Sequence, residues 1–127
     1  MSRAVLDASA VLAMLQGEAG AEAVEAVIPD AVMTTVNLGE VLQKLIDSGA
    51  PEPEAFDAVA GLGISFVDVD VELVRGSDRL RESTRKAGLS LGDRVCLALG
   101  ERLDLPLLTT DRAWVGLGLP LKVQVIR

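Results

Sequence analysis

Four carboxylates stand where apolar runs of this chain stop or start: Asp7, Glu40, Asp93 and Asp111. Asp7 closes Arg3-Ala4-Val5-Leu6, and Asp111 follows Leu107-Leu108-Thr109-Thr110. Glu40 and Asp93 fall in the first turns of two expected helices. If folding brings them together, they form an all-oxygen cluster of the kind that hard divalent cations seek. Two carboxylates ~4 Å apart repel by about 1 kcal/mol in water and ~4 kcal/mol at an effective dielectric of 20. Four together raise one another's pKa values unless a cation neutralises them. Such a cation can lower the pKa of a water, polarise a phosphate and stabilise a leaving oxygen.

Each acid taken alone also has a plain architectural explanation. Asp7, before Ala8 and Ser9, fits ordinary turn chemistry. Asn37-Leu38-Gly39-Glu40 has the spacing of a capping box, and Ser90-Leu91-Gly92-Asp93 repeats it. Asp111 could cap the short segment that carries Trp114. Singly, the two readings balance; order along the chain decides between them.

Composition removes much competing chemistry. The 127 residues contain no histidine, which excludes imidazole acid–base catalysis, Ser-His-Asp triads and His-ligated zinc. One cysteine, Cys96, excludes an internal disulfide and an all-cysteine zinc site. With no tyrosine, two phenylalanines and one tryptophan, a base-stacking platform is not expected. A net charge of −7 opposes nonspecific nucleic-acid binding, so a nucleic-acid enzyme of this balance needs metal ions and local arginines. Half the residues are apolar, which predicts one folded domain over 1–127 rather than a disordered chain. No apolar stretch approaches the ~20 residues of a membrane span, and the start lacks a signal-peptide pattern. A cytoplasmic protein without membrane association is expected.

The elements that must position the acids alternate. Ala4-Val5-Leu6 reads as a buried strand, followed by a helix capped by Ser9 that ends near Gly17. A second helix covers about Ala19 to Ile28, ahead of Pro29-Asp30, and Ala31 to Thr34 is a second strand. A helix from Leu38 to Asp47 carries Leu38, Val41, Leu42, Leu45 and Ile46 on one face and stops at Gly49. Pro51 and Pro53 open a helix near Glu54 to Leu62. Ile64 to Val69 is a third strand, and Val71 to Ala87 one long charged helix closed by Gly88. Ser90 caps a helix to about Leu103, Pro106 to Thr109 is a fourth strand, and Lys122 to Ile126 a fifth. This alternation predicts an α/β fold with a parallel sheet, whose ligands bind beyond the carboxyl ends of the strands. Asp7 and Asp111 stand at two such ends, and Glu40 begins a helix on the same side. Asp93 is not placed there by connectivity alone. By helical phase Glu40 and Asp93 both point away from their helices' apolar stripes, so each can line a cleft or face water.

In order and spacing the chain resembles PIN-domain ribonucleases, specifically VapC-type toxins of bacterial type II toxin–antitoxin pairs. The resemblance rests on Val5-Leu6-Asp7-Ala8-Ser9-Ala10, Asn37-Leu38-Gly39-Glu40-Val41, Leu89-Ser90-Leu91-Gly92-Asp93-Arg94-Val95-Cys96-Leu97-Ala98-Leu99 and Leu105-Pro106-Leu107-Leu108-Thr109-Thr110-Asp111-Arg112-Ala113-Trp114. It implies a PIN-like three-layer α/β/α sandwich around a central, mainly parallel five-stranded sheet. It also implies a metal-binding active site made by the four acids. Asp7 and Asp93 would be the principal ligands, Glu40 would complete the shell or hold a water, and Asp111 would be peripheral. The implied activity is a Mg²⁺-dependent endoribonuclease, with Mn²⁺ as a substitute, that hydrolyses RNA through a metal-activated water. A cognate antitoxin would silence it, and the chain would form a homodimer.

Around the acids, Ser9, Asn37, Arg94, Thr110 and Arg112 are secondary candidates for substrate contact or for holding the carboxylates. Cys96 reads as a small helix residue rather than a nucleophile, and Trp114, Met14 and Met33 read as packing residues. Two rival functions follow from the same residues. A phosphatase using Asp7 as nucleophile lacks a second aspartate two residues on, where Ser9 stands, and has no clear partner lysine. A non-catalytic α/β module would use the acids only as caps and bind a basic peptide.

Overall fold

The computed structural model describes residues 2–127. Five short strands, β1 (Ala4–Leu6), β2 (Ala31–Thr34), β3 (Ser65–Val67), β4 (Leu107–Thr109) and β5 (Val123–Val125), form one sheet in the order β3-β2-β1-β4-β5. Every pairing is parallel, so the expected mainly parallel sheet is wholly so. Parallel neighbours need long crossovers, and the intervening helices supply them. These are α1 (Ala8–Leu15), α2 (Ala21–Glu25), α3 (Thr35–Asp47), α4 (Glu52–Ala60), α5 (Val71–Arg79), α6 (Arg81–Thr84) and α7 (Leu91–Leu103).

Strand alternation divides the helices into two layers. Side chains on a strand point to opposite faces in turn. Ala4, Leu6, Ala31, Met33 and Leu108 accordingly share one core with Val11, Val24, Val41 and Val59 from α1 to α4. Val5, Val32 and Leu107 share the other with Leu73, Leu80, Cys96, Leu97, Leu99 and Trp114. The central strands are buried on both faces, which is why their sequences read as unbroken apolar runs. Trp114, 1% exposed, is a packing anchor of the second core.

Local departures from the expected elements have identifiable causes. Asp7, not Ser9, caps α1, and Ser9 lies inside the first turn. The helix expected from Leu38 begins at Thr35, because Thr34 is the cap and its hydroxyl accepts from the Asn37 amide at 3.0 Å. The α2 helix keeps only its middle residues, and α4 starts at Glu52 behind Pro51. The single long helix from Val71 is broken at Leu80 into α5 and α6. There Ser77 and Thr84 donate back to the carbonyls of Val74 and Leu80, both at 2.7 Å, a local competition with the helix ladder. Leu91, the first residue of α7, is 53% exposed.

The sheet order sets the place of the site. Strands run outward from β1 toward β3 on one side and toward β5 on the other, so the order reverses between β1 and β4. Beyond the carboxyl ends of such a pair a crevice opens. Asp7 follows β1 there, and Asp111 stands two residues after β4. The α3 helix starts directly after β2, along the same edge of the sheet.

Candidate active site

All four acids line one cleft of about 400 Å³, together with Ala8, Ser9 and Leu12 of α1 and Gln43, Lys44 and Asp47 of α3. They form a gradient of exposure. Asp7 lies at the base, 5% exposed, Glu40 and Asp93 are half-buried, and Asp111 is exposed at the rim.

Glu40, Asp93 and Asp111 are each held by one oxygen, and Asp7 by both. Asp7 Oδ1 accepts from the Ala10 amide at 2.8 Å and from Ser9 Oγ at 2.7 Å. Its Oδ2 accepts from Thr109 Oγ1 at 2.5 Å. Glu40 Oε1 accepts from Asn37 Nδ2 at 2.8 Å. Asp93 Oδ2 accepts from the Ser90 amide at 2.9 Å, completing a capping box with the Ser90 hydroxyl. Asp111 Oδ1 accepts from the Ala113 amide at 2.9 Å and caps the short 3₁₀ helix Arg112–Trp114. Among the described residues, Glu40 Oε2, Asp93 Oδ1 and Asp111 Oδ2 carry no hydrogen bond, and Asp7 Oδ2 has a second lone pair. Capping and ligation are therefore compatible: in Glu40, Asp93 and Asp111 one oxygen fixes the side chain to the scaffold and the other is unbonded, while Asp7 keeps only spare lone-pair capacity. Orientation of ligands through their second atom is how metal sites are generally held.

Thr109 ties two of the acids together. Besides donating to Asp7, its hydroxyl accepts from the Asp111 amide at 3.0 Å. Register explains the contact: Leu6 pairs with Leu108, so the next residues, Asp7 just past β1 and Thr109 at the end of β4, stand side by side. The Ser9 hydroxyl also accepts from the Thr110 amide at 2.9 Å, clamping the end of β4 to α1. Thr110 thus meets Ser9 through its backbone, and it is Thr109 that orients Asp111.

Asn37 performs the equivalent task between helices. Its amide donates to Glu40 and to the Gly92 carbonyl at 3.1 Å, while Thr34 Oγ1 donates to its Oδ1 at 2.7 Å. It is 1% exposed, so it holds Glu40 and the start of α7 and is not open to a substrate. This bridge seats the start of α7, and with it Asp93, beside α3. The α5 helix supports α7 from the other side, through Arg102 to Asp70 at 2.9 and 3.2 Å and Arg94 to the Ser77 carbonyl at 3.3 Å.

That last contact removes Arg94 from the cleft. It is 7% exposed, and its guanidinium faces Ser77 and Asp78 on α5. Arg112 is exposed and does not line the cleft.

Burial at the base pushes the Asp7 carboxyl up to about 6, against the lowering effect of its bonds to Thr109, Ser9 and Ala10, and nearby Asp93 adds to the rise. Burial likewise pushes the Cys96 thiol up, with Asp7, Asp93 and Glu40 contributing. A fully buried thiol so disfavoured as thiolate is inert packing. Among the described residues no three acids are close enough to grip an ion as they stand. The donors fit a hard cation in type, as carboxylate oxygens with open lone pairs.

Sequence reading missed several cleft residues. Gln43, Lys44 and Asp47 lie three, four and seven positions beyond Glu40, the spacing of one helix face, so helical phase could have found them. Thr109 needed the β1–β4 register. Gly92, whose carbonyl Asn37 holds, needed the contact between α3 and α7.

Comparison with known proteins agrees with this architecture. The family model described as PIN domain matches residues 4–117. No curated protein sequence matches the chain significantly. Among solved structures, a toxin–antitoxin complex from Klebsiella pneumoniae superposes with a TM-score of 0.73 at 20% identity, covering 91% of this chain and 92% of that one. VapC20 of Mycobacterium tuberculosis, a sarcin–ricin loop cleaving toxin, gives 0.75 at 16% identity, covering 91% and 95%. VapBC-5 of the same organism, from the VapBC family of toxin–antitoxin systems, gives 0.65 at 25% identity, covering 100% and 99%. With the matched segment spanning all four acids and every strand but β5, the chain belongs to the PIN domain family.

Proposed function

We propose that this chain is the endoribonuclease toxin of a type II toxin–antitoxin pair, acting in the cytoplasm with Mg²⁺ or Mn²⁺. One observation carries the reading: four acids line one cleft, each is fixed to the scaffold by hydrogen bonds, and each keeps acceptor capacity free. Asp7 and Asp93 are the principal ligands, Glu40 completes the shell or orients a water, and Asp111 at the rim is the most peripheral. The bound cation would supply Lewis acidity to the phosphate and lower the pKa of an attacking water. The chain's residues do the rest. Ser9, Thr109 and Asn37 hold the carboxylates in position, and α7 buries the floor beneath them.

The surroundings suit a nucleic-acid chain on one side. Ser9, Leu12 and Lys44 also line an adjoining groove of about 350 Å³ with Ser48, Thr110 and Arg127. Hydroxyls and two cations there can hold phosphates, with Arg127 also paired to Glu18 at 3.5 Å. Glu18 lines the same groove, so its two cations stand against one acid, a small local offset to the chain's net charge of −7. The structural neighbours include VapBC complexes, some bound to DNA, which supports a cognate antitoxin as partner here. The acidic cleft suits a basic antitoxin segment. Among the described residues no helix is long and apolar enough to cross a membrane.

The test is cleavage of a defined RNA by purified protein with Mg²⁺, with added EDTA, and with Asp93→Asn. Cleavage in the first sample alone, leaving 5′-phosphate ends, is expected. Equal cleavage in all three assigns the activity to a contaminant and sinks the reading.

A further inference from the structure

Both acid-bearing helices carry a glycine immediately before the acid, Gly39 before Glu40 and Gly92 before Asp93. The two differ in what surrounds them. A β-carbon added at Gly39 would meet nothing within 4 Å. One added at Gly92 would lie 2.4 Å from Glu40 Oε2, 2.8 Å from its Cδ and 2.9 Å from Oε1. All of these are closer than real side-chain contacts allow. The Glu40 carboxylate therefore occupies the space that any other residue at position 92 would fill.

We infer that Gly92 is a positioning residue: its missing β-carbon is the seat in which the Glu40 carboxylate rests, and this is what admits a glutamate of α3 to the cleft beside α7. The inference rests on the functional reading above and names one further residue on which that site depends. Three features make the seat specific. Gly92 is buried and sits in the first turn of α7, with no left-handed backbone to require glycine. Its carbonyl accepts from Asn37 Nδ2, and the same amide donates to Glu40 Oε1, so one side chain fixes both the seat and its occupant. The atoms in conflict belong to the end of a long, half-buried side chain rather than to backbone. Glu40 can swing outward, so a methyl group at position 92 is accommodated by displacing the carboxylate and breaking its bond to Asn37. Alanine is also a better helix former than glycine. Gly92→Ala thus separates two quantities that most buried substitutions change together. The fold is kept while the carboxylate is lost from the cleft.

The experiment uses five purified proteins: wild type, Gly92→Ala, Gly92→Ala with Glu40→Asp, Glu40→Asp alone, and Gly39→Ala as the matched control. Mn²⁺ binding by electron paramagnetic resonance, RNA cleavage and thermal unfolding in EDTA are measured for each, with Glu40→Asp alone completing the cycle. The expected result is a Gly92→Ala protein with unchanged or raised Tm, Mn²⁺ affinity at least tenfold weaker and kcat reduced at least tenfold. Gly39→Ala behaves as wild type. Aspartate at position 40 is shorter by one methylene and clears the added methyl group. Glu40→Asp therefore lowers affinity and kcat in the wild-type background but raises both at least threefold over Gly92→Ala. Wild-type affinity and kcat in Gly92→Ala overturn the inference, as does a loss that follows a lowered Tm or one that Glu40→Asp deepens. Those outcomes leave the functional reading standing, because the wild-type protein still binds Mn²⁺ and cleaves. A wild type that does neither overturns that reading, and the inference with it.

Discussion

The starts of α3 and α7 carry the same pattern, a polar residue, leucine, glycine and an acid, yet they fold into different devices. Ser90-Leu91-Gly92-Asp93 is a true capping box: Ser90 precedes the helix and exchanges bonds with Asp93. Asn37-Leu38-Gly39-Glu40 lies wholly within α3, because Thr34 took the cap three residues earlier. Glu40 is therefore in the second turn, serves no cap, and is free to reach across to α7. The rule for reading such motifs is that spacing gives the geometry of a box but not its phase along the helix. Where a threonine ends the preceding strand, it can cap first.

The largest effect that sharpens this comparison is on catalysis. Asn at position 93 can still accept from the Ser90 amide through its carbonyl, so Asp93→Asn keeps the box and removes only the charge. Cleavage should fall by ~10²-fold or more while Tm changes by only a few degrees, the signature of lost electrostatic stabilisation rather than lost structure. Retained activity, or unfolding, would return Asp93 to a purely structural role.

Next is Asp7, which differs from both helix acids in being buried among hydroxyl donors. Its folded carboxyl is raised from 3.8 to about 6, so the folded state holds a proton that the unfolded chain has released. Stability of the metal-free protein should therefore decline as pH rises from about 4 to 6, by at most about 3 kcal/mol, and remain lower above that window. Asp7→Asn should abolish the decline and raise the Tm in EDTA at pH 7, and Mg²⁺ should erase that advantage by stabilising only the wild type. A pH-independent Tm difference between the two proteins would contradict the assignment of burial as the cause. The α1 cap survives in either case, since asparagine caps as well as aspartate.

Smaller still is the cap itself. Ser90→Ala should cost about 1 kcal/mol of stability in urea unfolding, while Asn37→Ala, under a capping-box reading, would cost the same by the same route. The structure instead makes Asn37→Ala a change in Glu40 and in the α3–α7 bridge, so its loss should appear in Mn²⁺ affinity and Ser90→Ala's should not. Identical profiles would erase the distinction between the two motifs. Last, Lys44→Ala should raise KM for RNA about threefold, with kcat little changed and a shallower salt dependence, as expected for removal of one phosphate contact. An effect on kcat alone would place Lys44 at the chemistry instead of beside it.

Much of the architecture is legible in the sequence. Apolar runs without alternation mark strands buried on both faces, and helical segments between them require parallel crossovers. Asp7 and Asp111 at strand ends followed from that alone. The weaker points were boundaries and partners. Ser9 and Asn37 looked like caps because their types favour caps, but Asp7, directly after β1, and Thr34, the last residue of β2, reached the free amides first. Arg94 looked like a phosphate ligand because it follows Asp93, yet the next residue on a helix points about 100° away, here into α5.

Residue types and their periodicity thus determined the class of fold, the exclusion of imidazole and thiolate chemistry, and four acids at element boundaries. These are properties of short windows, where local propensity and burial pattern act. Tertiary structure decided which lone pairs stay open, that Thr109 joins Asp7 to Asp111, and that Gly92 makes room for Glu40. Those depend on atoms 52 to 102 residues apart in the chain meeting within a few ångströms, which β1–β4 register and the packing of α3 against α7 impose and no local pattern encodes.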